Sequence, residues 1–272
     1  TAHALAILGT PAQVAGFNGG DSGCKVAALT RTYNVKACFT AMRAPTRICT
    51  TILSGADNST TELVEEAPAP GRNAQKLFVR ENLKRIYRAS LLAISGTLPP
   101  FADDSFYVAF VREANRAGVP VMIDSHRTAL INVLFERPLL AKLNAHELSV
   151  TLGERMDNER RILRGMRDLY GMGAINVFVT QGRGPAYLLN QGGIWRFVPP
   201  DIALRVNAIG SGDCTLAGII HSYLSGKSLP VAVCYGIACG SANVESMTPA
   251  DFERKRVQAL FRCVKAEKIT AL

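Results

Sequence analysis

The segment Asn207-Ala208-Ile209-Gly210-Ser211-Gly212-Asp213-Cys214-Thr215-Leu216-Ala217-Gly218 sets a carboxylate directly behind a glycine–serine–glycine turn, at the head of a small, apolar, helix-compatible run. Glycines let successive backbone N–H groups point the same way, and at a helix N-terminus such groups form an anion cradle. Gly210, Ser211 and Gly212 supply the turn, and Asp213 puts a proton acceptor beside it. A hydroxyl could lose its proton to Asp213 while the phosphoryl group it attacks rests on the amides of 210–213. That suits phosphoryl transfer, where positioning and charge stabilisation dominate. A plain helix cap behind a tight turn accounts for the same residues, since acids are favoured in a first helical turn. A short glycine pattern does not decide between the two.

Other polar or glycine-rich pieces need the same kind of support: Ser95-Gly96-Thr97, Asp124-Ser125, Asn144 and Thr180-Gln181-Gly182. Each follows a predicted strand. Short apolar strands are expected over 90–95, 119–124, 139–143 and 175–180, with further strands at 186–189 and 194–198. Helical patterns cover 74–88 (Leu77, Phe78, Leu83 and Ile86 to one side), 103–117, 145–152, 157–172, 213–225, 229–245 and 250–266. The first 66 residues read as β-rich. Residues 46–53 form a β-branched strand, 54–59 a turn cluster and 60–64 a returning strand, a hairpin at a sheet edge. Strands alternating with helices predict a single α/β domain, a mainly parallel sheet with helices on both faces and a small β appendage. In such sheets ligands bind beyond the carboxyl ends of the strands, where these pieces fall together.

Composition narrows the function classes. The 272 residues are 48% hydrophobic and 19% charged, an ordinary globular balance. No apolar run approaches the ~20 residues of a membrane span, and the first residues carry no basic-then-apolar pattern. Seven cysteines, none in a C-x-x-C pair, fit a reduced cytoplasmic interior rather than a disulfide frame or zinc site. His3, His126, His146 and His221 show no metal-ligand spacing. The formal charge of +9 is scattered, with only short groups such as Arg160-Arg161 and Arg254-Lys255-Arg256 and no interleaved aromatics. The expectation is a solvated surface that attracts a small anion, with no nucleic-acid or membrane partner.

Taken together, the segments resemble the PfkB (ribokinase-like) family of carbohydrate kinases along essentially the whole chain. VNAIGSGDCTLAGI resembles the family's C-terminal signature, LAISGTLPP its I-S-G-S-L-P-P and KLNAHEL its K-P-N-x-x-E-L. VTQG resembles V-S/T-x-G, and GIACGSAN resembles the helix beside the adenine pocket. The branch most resembled phosphorylates sugar phosphates: 1-phosphofructokinase, tagatose-6-phosphate kinase and the minor 6-phosphofructokinase. The resemblance implies a ribokinase-like three-layer fold with a small β lid over about 46–66, and phosphorylation of a ketohexose phosphate by ATP with Mg²⁺. It implies Asp213 as catalytic base, Gly210, Ser211 and Gly212 as the anion hole, and Asn144 and Glu147 on Mg²⁺. Thr180 and Gly182 would meet nucleotide phosphates or ribose, Ile237 and Ser241 the adenine, and Gly96 and Thr97 the sugar. Ala44-Pro45-Thr46-Arg47-Ile48 is similar to the T-R that opens a lid strand, where Arg47 would bind the substrate's own phosphate. A homodimer through the lid is implied as well. Lys142 either approaches the phosphates or is a partly buried structural lysine.

The sequence also departs from the family pattern. Thr1–Gly9 is similar to the helix that follows the family's first strand and its sugar-binding glycine element, so about one βα unit is expected to be lacking. Leu143 replaces a proline, and Pro185 stands where the nucleotide loop has its second glycine. Two alternatives stay open: a kinase for an unphosphorylated sugar or nucleoside, and a silent nucleotide-binding protein.

Overall fold

Residues 121–124, 140–144 and 177–181 alternate their side chains between two cores, as the period of two in a strand requires. Met122, Leu140, Phe178, Leu188 and Phe197 enter one core. Ile123, Ala141, Leu143, Val177, Val179, Tyr187 and Leu189 enter the other. A sheet buried on both faces needs a layer of helices on each.

The computed structural model describes residues 1–57, 59–98, 102–103 and 105–269. Asn58 of the predicted turn, Pro99 and Pro100 of the LAISGTLPP segment, and Asp104 of the predicted helix 103–117 lie outside the described residues. In chain order the elements are α1 (Ala2–Leu8), β1 (Gln13–Asn18), α2 (Gly20–Thr32), β2 (Lys36–Ala41), β3 (Cys49–Leu53), β4 (Thr60–Val64), α3 (Arg72–Ile86), β5 (Leu92–Ser95), α4 (Phe106–Arg116), β6 (Val121–Asp124) and α5 (Arg127–Leu134). There follow β7 (Leu140–Asn144), α6 (Ala145–Leu152), α7 (Glu159–Gly171), β8 (Val177–Gln181), β9 (Gly184–Asn190), β10 (Gly193–Val198), α8 (Ser211–Leu224), α9 (Leu229–Val244), α10 (Arg254–Phe261) and β11 (Lys265–Ile269).

The main sheet runs β11-β10-β9-β8-β7-β6-β5. Its β5–β8 part is parallel and its β8–β11 part antiparallel. Residues of α1, α8, α9 and α10 fill one core, and residues of α3 to α7 fill the other. This is the three-layer ribokinase-like architecture. Two smaller sheets stand apart: β1 and β2, parallel and joined through α2, and the antiparallel hairpin β3–β4.

Several expectations are corrected. The first 66 residues hold four strands, but α2 lies among them and was not expected. The helix expected over 250–266 ends at Phe261, and β11 follows, pairing antiparallel with β10. Helix α5 went unpredicted. Leu77, expected on the buried side of α3, is 41% exposed, while Phe78, Asn82 and Ile86 are buried.

Helices α8 and α9 approach closely because the sequence removes side chains between them. A Cβ on Gly236 would lie 2.5 Å from the backbone oxygen of Thr215 and 2.5 Å from Ile219. The pair forms a floor that carries the residues of the site.

Candidate active site

The parallel strands end in register. Ser95 lies beside Asp124, and Asp124 beside Lys142. Asn144 lies beside Thr180. These strand ends open into a cavity of about 1370 Å³, closed on its far side by residues 210–213 of the α8 N-terminus and by Ile237 and Ser241 of α9. Nearly every residue singled out from the sequence lines it: Gly96, Thr97, Asn144, Glu147, Thr180, Gly182, Gly210, Ser211, Gly212, Asp213, Ile237 and Ser241.

Gly210 turns the chain into α8 with φ +79, in the left-handed region that glycine adopts without strain. A Cβ there would also come 2.8 Å from Pro249. The Ser211 N–H is taken by the Ala208 carbonyl at 3.1 Å. Among the described residues none accepts from the N–H of Gly210, Gly212 or Asp213. The last two, inside the first turn of α8 at the positive end of the helix dipole, are the helical donors left for an anion.

The Asp213 side chain is 49% exposed, facing the cavity. Its Oδ1 accepts from Ser95 Oγ at 3.1 Å and from Thr1 Oγ1. Burial pushes the carboxyl up. The Thr1 and Ser95 hydroxyls that donate to it pull the other way.

Next to the loop lies a buried ion pair. Lys142 Nζ is 2.5 Å from Asp124 Oδ2, with side chains 4% and 15% exposed. A Cβ on Gly212 would stand 3.3 Å from Lys142 Nζ, so the ammonium adjoins the anion loop. His126, Arg183 and Arg205 add basic groups to the wall.

Asn144 and Glu147 meet in a reciprocal capping box at the start of α6. Glu147 N–H donates to Asn144 Oδ1 at 2.8 Å, and Asn144 N–H donates to Glu147 Oε2 at 2.7 Å. Glu147 Oε1 has no partner among the described residues, and both side chains line the cavity. No group of three His, Cys, Asp or Glu residues suited to a metal occurs among the described residues. A cation here would take oxygen ligands from these two residues, water and a ligand's phosphates, which fits Mg²⁺ chemistry.

Ile237 is 6% exposed, so it serves the core and the cavity wall at once. Arg47 is the one predicted site residue not brought to the cavity. Its Nη1 instead donates to the Glu65 carbonyl at 3.4 Å, at the root of the β3–β4 hairpin. Sequence reasoning underrated Asp124 and Lys142 and overlooked Thr1 and the hydroxyl of Ser95. The available signal was a charged residue inside each of the apolar strands VMID and LAKLN.

Comparison with known proteins agrees with this geometry. Residues 1–255 match the model of the pfkB family carbohydrate kinases. The chain is 29% identical over 234 residues to D-tagatose-1-phosphate kinase from Klebsiella oxytoca, covering 85% of this chain and 75% of that protein. Its fold superposes on a possible 1-phosphofructokinase from Thermotoga maritima with TM-score 0.91 at 18% identity, covering 99% of this chain and 86% of that one. It also superposes on phosphofructokinase-2 from Escherichia coli in complex with fructose-6-phosphate with TM-score 0.83 at 22% identity, covering 96% and 84%. A match over that length, joined to a carboxylate and two free amides at a glycine-turned helix start, leaves one assignment: the chain belongs to the pfkB family of carbohydrate kinases.

Proposed function

We propose that the chain transfers the γ-phosphoryl group of ATP to a hydroxyl of a ketohexose phosphate of the fructose or tagatose type. Membership of a carbohydrate kinase family implies ATP as the donor. The observation that carries the reaction is the convergence of the Asp213 carboxylate with the unpartnered N–H groups of Gly212 and Asp213. Asp213 takes the proton of the acceptor hydroxyl. The two amides, with Lys142 beside them, hold the phosphoryl oxygens as charge builds on them. Gly210 and Ser211 shape the turn that presents those amides.

Asn144 and Glu147 would hold Mg²⁺, through Glu147 Oε1 and water, and the ion would neutralise charge on the donor phosphates. Thr180 and Gly182 border the nucleotide phosphates, and Ile237 and Ser241 the adenine. Gly96 and Thr97 border the sugar. A phosphorylated acceptor is supported by the basic wall of Lys142, His126, Arg183 and Arg205 and by the sugar-phosphate kinase among the relatives. The position of Arg47 off the cavity wall favours, as a second reading, an acceptor without a phosphate.

The hairpin supports a homodimer through the lid. The face bearing Thr60 turns to the cavity, and the opposite face presents Ile52 and Leu63, 51% and 56% exposed. A lone two-stranded ribbon is marginal in water, and a second copy would cover its apolar face. The free thiols at all seven cysteines support a reducing, cytoplasmic setting, and no described helix is long and apolar enough to cross a membrane.

The test is ADP release from Mg-ATP with fructose 1-phosphate, fructose 6-phosphate, tagatose 1-phosphate, tagatose 6-phosphate and fructose in parallel. Turnover with a sugar phosphate should fall about 10²–10⁴-fold in Asp213→Asn. Equal turnover by the two proteins would sink the assignment of the base. Turnover with fructose alone, unaffected by Arg47→Ala, would establish the second reading.

A further inference from the structure

Asn243, near the C-terminal end of α9, touches none of the space assigned to ligands, yet its side chain is fully engaged. The residue is 1% exposed. Its Nδ2 donates to the Ile209 carbonyl at 2.9 Å and to Ser211 Oγ at 3.0 Å. Its Oδ1 accepts from the Ala250 N–H at 2.7 Å and from Cys214 Sγ at 3.3 Å. A side-chain amide has two donor hydrogens and two acceptor lone pairs, so its whole capacity is used. Three of the partners belong to the anion loop and the first turn of α8.

The fourth partner identifies what the amide is tied to. Ala250 sits at φ +57, a conformation uncommon for a residue with a Cβ, and its N–H points at Asn243. Its neighbour Pro249 is the group that a Cβ on Gly210 would strike. A second strut runs in parallel: Asn207 Nδ2 donates to the Met247 carbonyl at 2.9 Å, and Asn207 Oδ1 accepts from the Ile209 N–H at 2.9 Å.

We infer that Asn243 is a positioning residue for phosphoryl transfer, bolting the loop 208–213 to the turn at 247–250 so that the amides of Gly212 and Asp213 keep a fixed relation to the Asp213 carboxylate. The loop needs such a brace because its own residues supply little order. Glycine loses more conformational freedom on folding than any other residue, and two of them flank Ser211. The hydrogen bonds reach backbone and hydroxyl groups of the loop and leave the cavity-facing N–H groups free. The inference rests on the phosphoryl-transfer reading above, so its test includes a readout independent of turnover.

Three proteins are compared: the parent, Asn243→Ala and Asn82→Ala. Asn82 is also buried, on α3, which carries none of the site's residues, and it controls for the general cost of deleting a buried amide. Amide hydrogen–deuterium exchange over 208–213 should quicken about tenfold or more in Asn243→Ala and stay at the parent rate in Asn82→Ala. In the coupled assay kcat should fall about 10²-fold in Asn243→Ala, the scale of a lost transition-state donor, with the KM values for ATP and sugar phosphate within about threefold. If Asn243→Ala does not fold, Asn207→Ala, which cuts the parallel strut, takes its place with the same expectations. Unchanged exchange over 208–213 overturns the inference whatever the activity. So does an equal loss of kcat in Asn82→Ala, or a rise in KM for ATP with kcat preserved, which would make Asn243 a shaper of the nucleotide pocket. A parent chain without turnover on any sugar phosphate counts against the proposed function and leaves the exchange measurement to decide the inference.

Discussion

Breaking the Lys142–Asp124 pair from one side should cost far more than removing it whole. The two groups are 2.5 Å apart, and the side chains are 4% and 15% exposed. Lys142→Met leaves a carboxylate enclosed without its counter-charge, a situation that costs about 3–5 kcal/mol. Asp124 keeps some contact with the cavity, so the lower end, about 3 kcal/mol, is expected. For a chain of this size that corresponds to a fall in Tm of roughly 6–12 °C, at about 2–4 °C per kcal/mol. Asp124→Leu should cost a similar amount, because it strands the more deeply buried ammonium. The double variant replaces a buried pair with apolar groups and should lie within about 1 kcal/mol of the parent. The coupling between the sites is then about 5–7 kcal/mol, of opposite sign to the two losses. Urea unfolding followed through the single tryptophan, Trp195, measures all four corners of the cycle. Kinase turnover should behave differently: the double variant regains stability but not activity, because the ammonium beside Gly212 is gone. Single variants that each cost under about 1 kcal/mol and add in the double would refute the reasoning. The pair would then be solvated like an ordinary surface ion pair.

Gly236→Ala should destabilise the fold by about 1–3 kcal/mol, since its Cβ would meet the Thr215 backbone oxygen at 2.5 Å; urea midpoints check this. Stability should also fall as the pH drops below about 6.5. Burial and Arg254 hold His221 below its ordinary pKa, and burial does the same for His3 against an opposing pull from Asp251. The unfolded chain therefore binds these protons first, and the stabilisation present above the unfolded pKa is lost on acidification toward the folded values. His221→Gln should flatten part of the slope between pH 7.5 and pH 5, and an unchanged slope would exclude His221 as a source. Leu63→Lys places a charge on the outward face of the hairpin and should shift a homodimer toward monomer in analytical ultracentrifugation, leaving the fold intact by circular dichroism. An unaltered sedimentation coefficient in a dimeric parent would move the interface elsewhere.

The parts of the site that require a special backbone were legible in the sequence, because glycine and acid at a helix start are local signals. The parts that depend on register were not. Asp124 and Lys142 meet only because β6 and β7 align those positions, and Asn243 reaches Ile209 across 34 residues of sequence. In the fold, α2 escaped notice because only Gly23 of its 13 residues is buried, and Val26 and Leu29 are exposed, leaving no apolar stripe to read. Residues 265–269 have the lysine, alanine and glutamate of a good helix former, yet they pair with the edge of β10. There tertiary pairing overrides local propensity. The phosphate role expected of Arg47 came from the resemblance of Thr46-Arg47 to the T-R that opens a lid strand, which says nothing about the Glu65 carbonyl that its side chain meets.

The tight seam between α8 and α9 has a consequence for how such an enzyme can diversify. At Gly218 and Gly236 the helix that bears Asp213 and the helix that bears Ile237 and Ser241 come close enough that an added Cβ would strike backbone atoms and the Cys239 and Ile219 side chains. On the proposed assignment, a substitution that reshapes the α9 side to suit another nucleobase would press on α8 and so be felt at the Asp213 carboxylate, tying donor preference to chemical rate. The proposed acceptor side takes in Gly96, Thr97 and Thr60 of the hairpin, and at Gly96 there is open space in place of such a seam. New acceptors are therefore open to this scaffold by local change, and new donors only by rebuilding the floor.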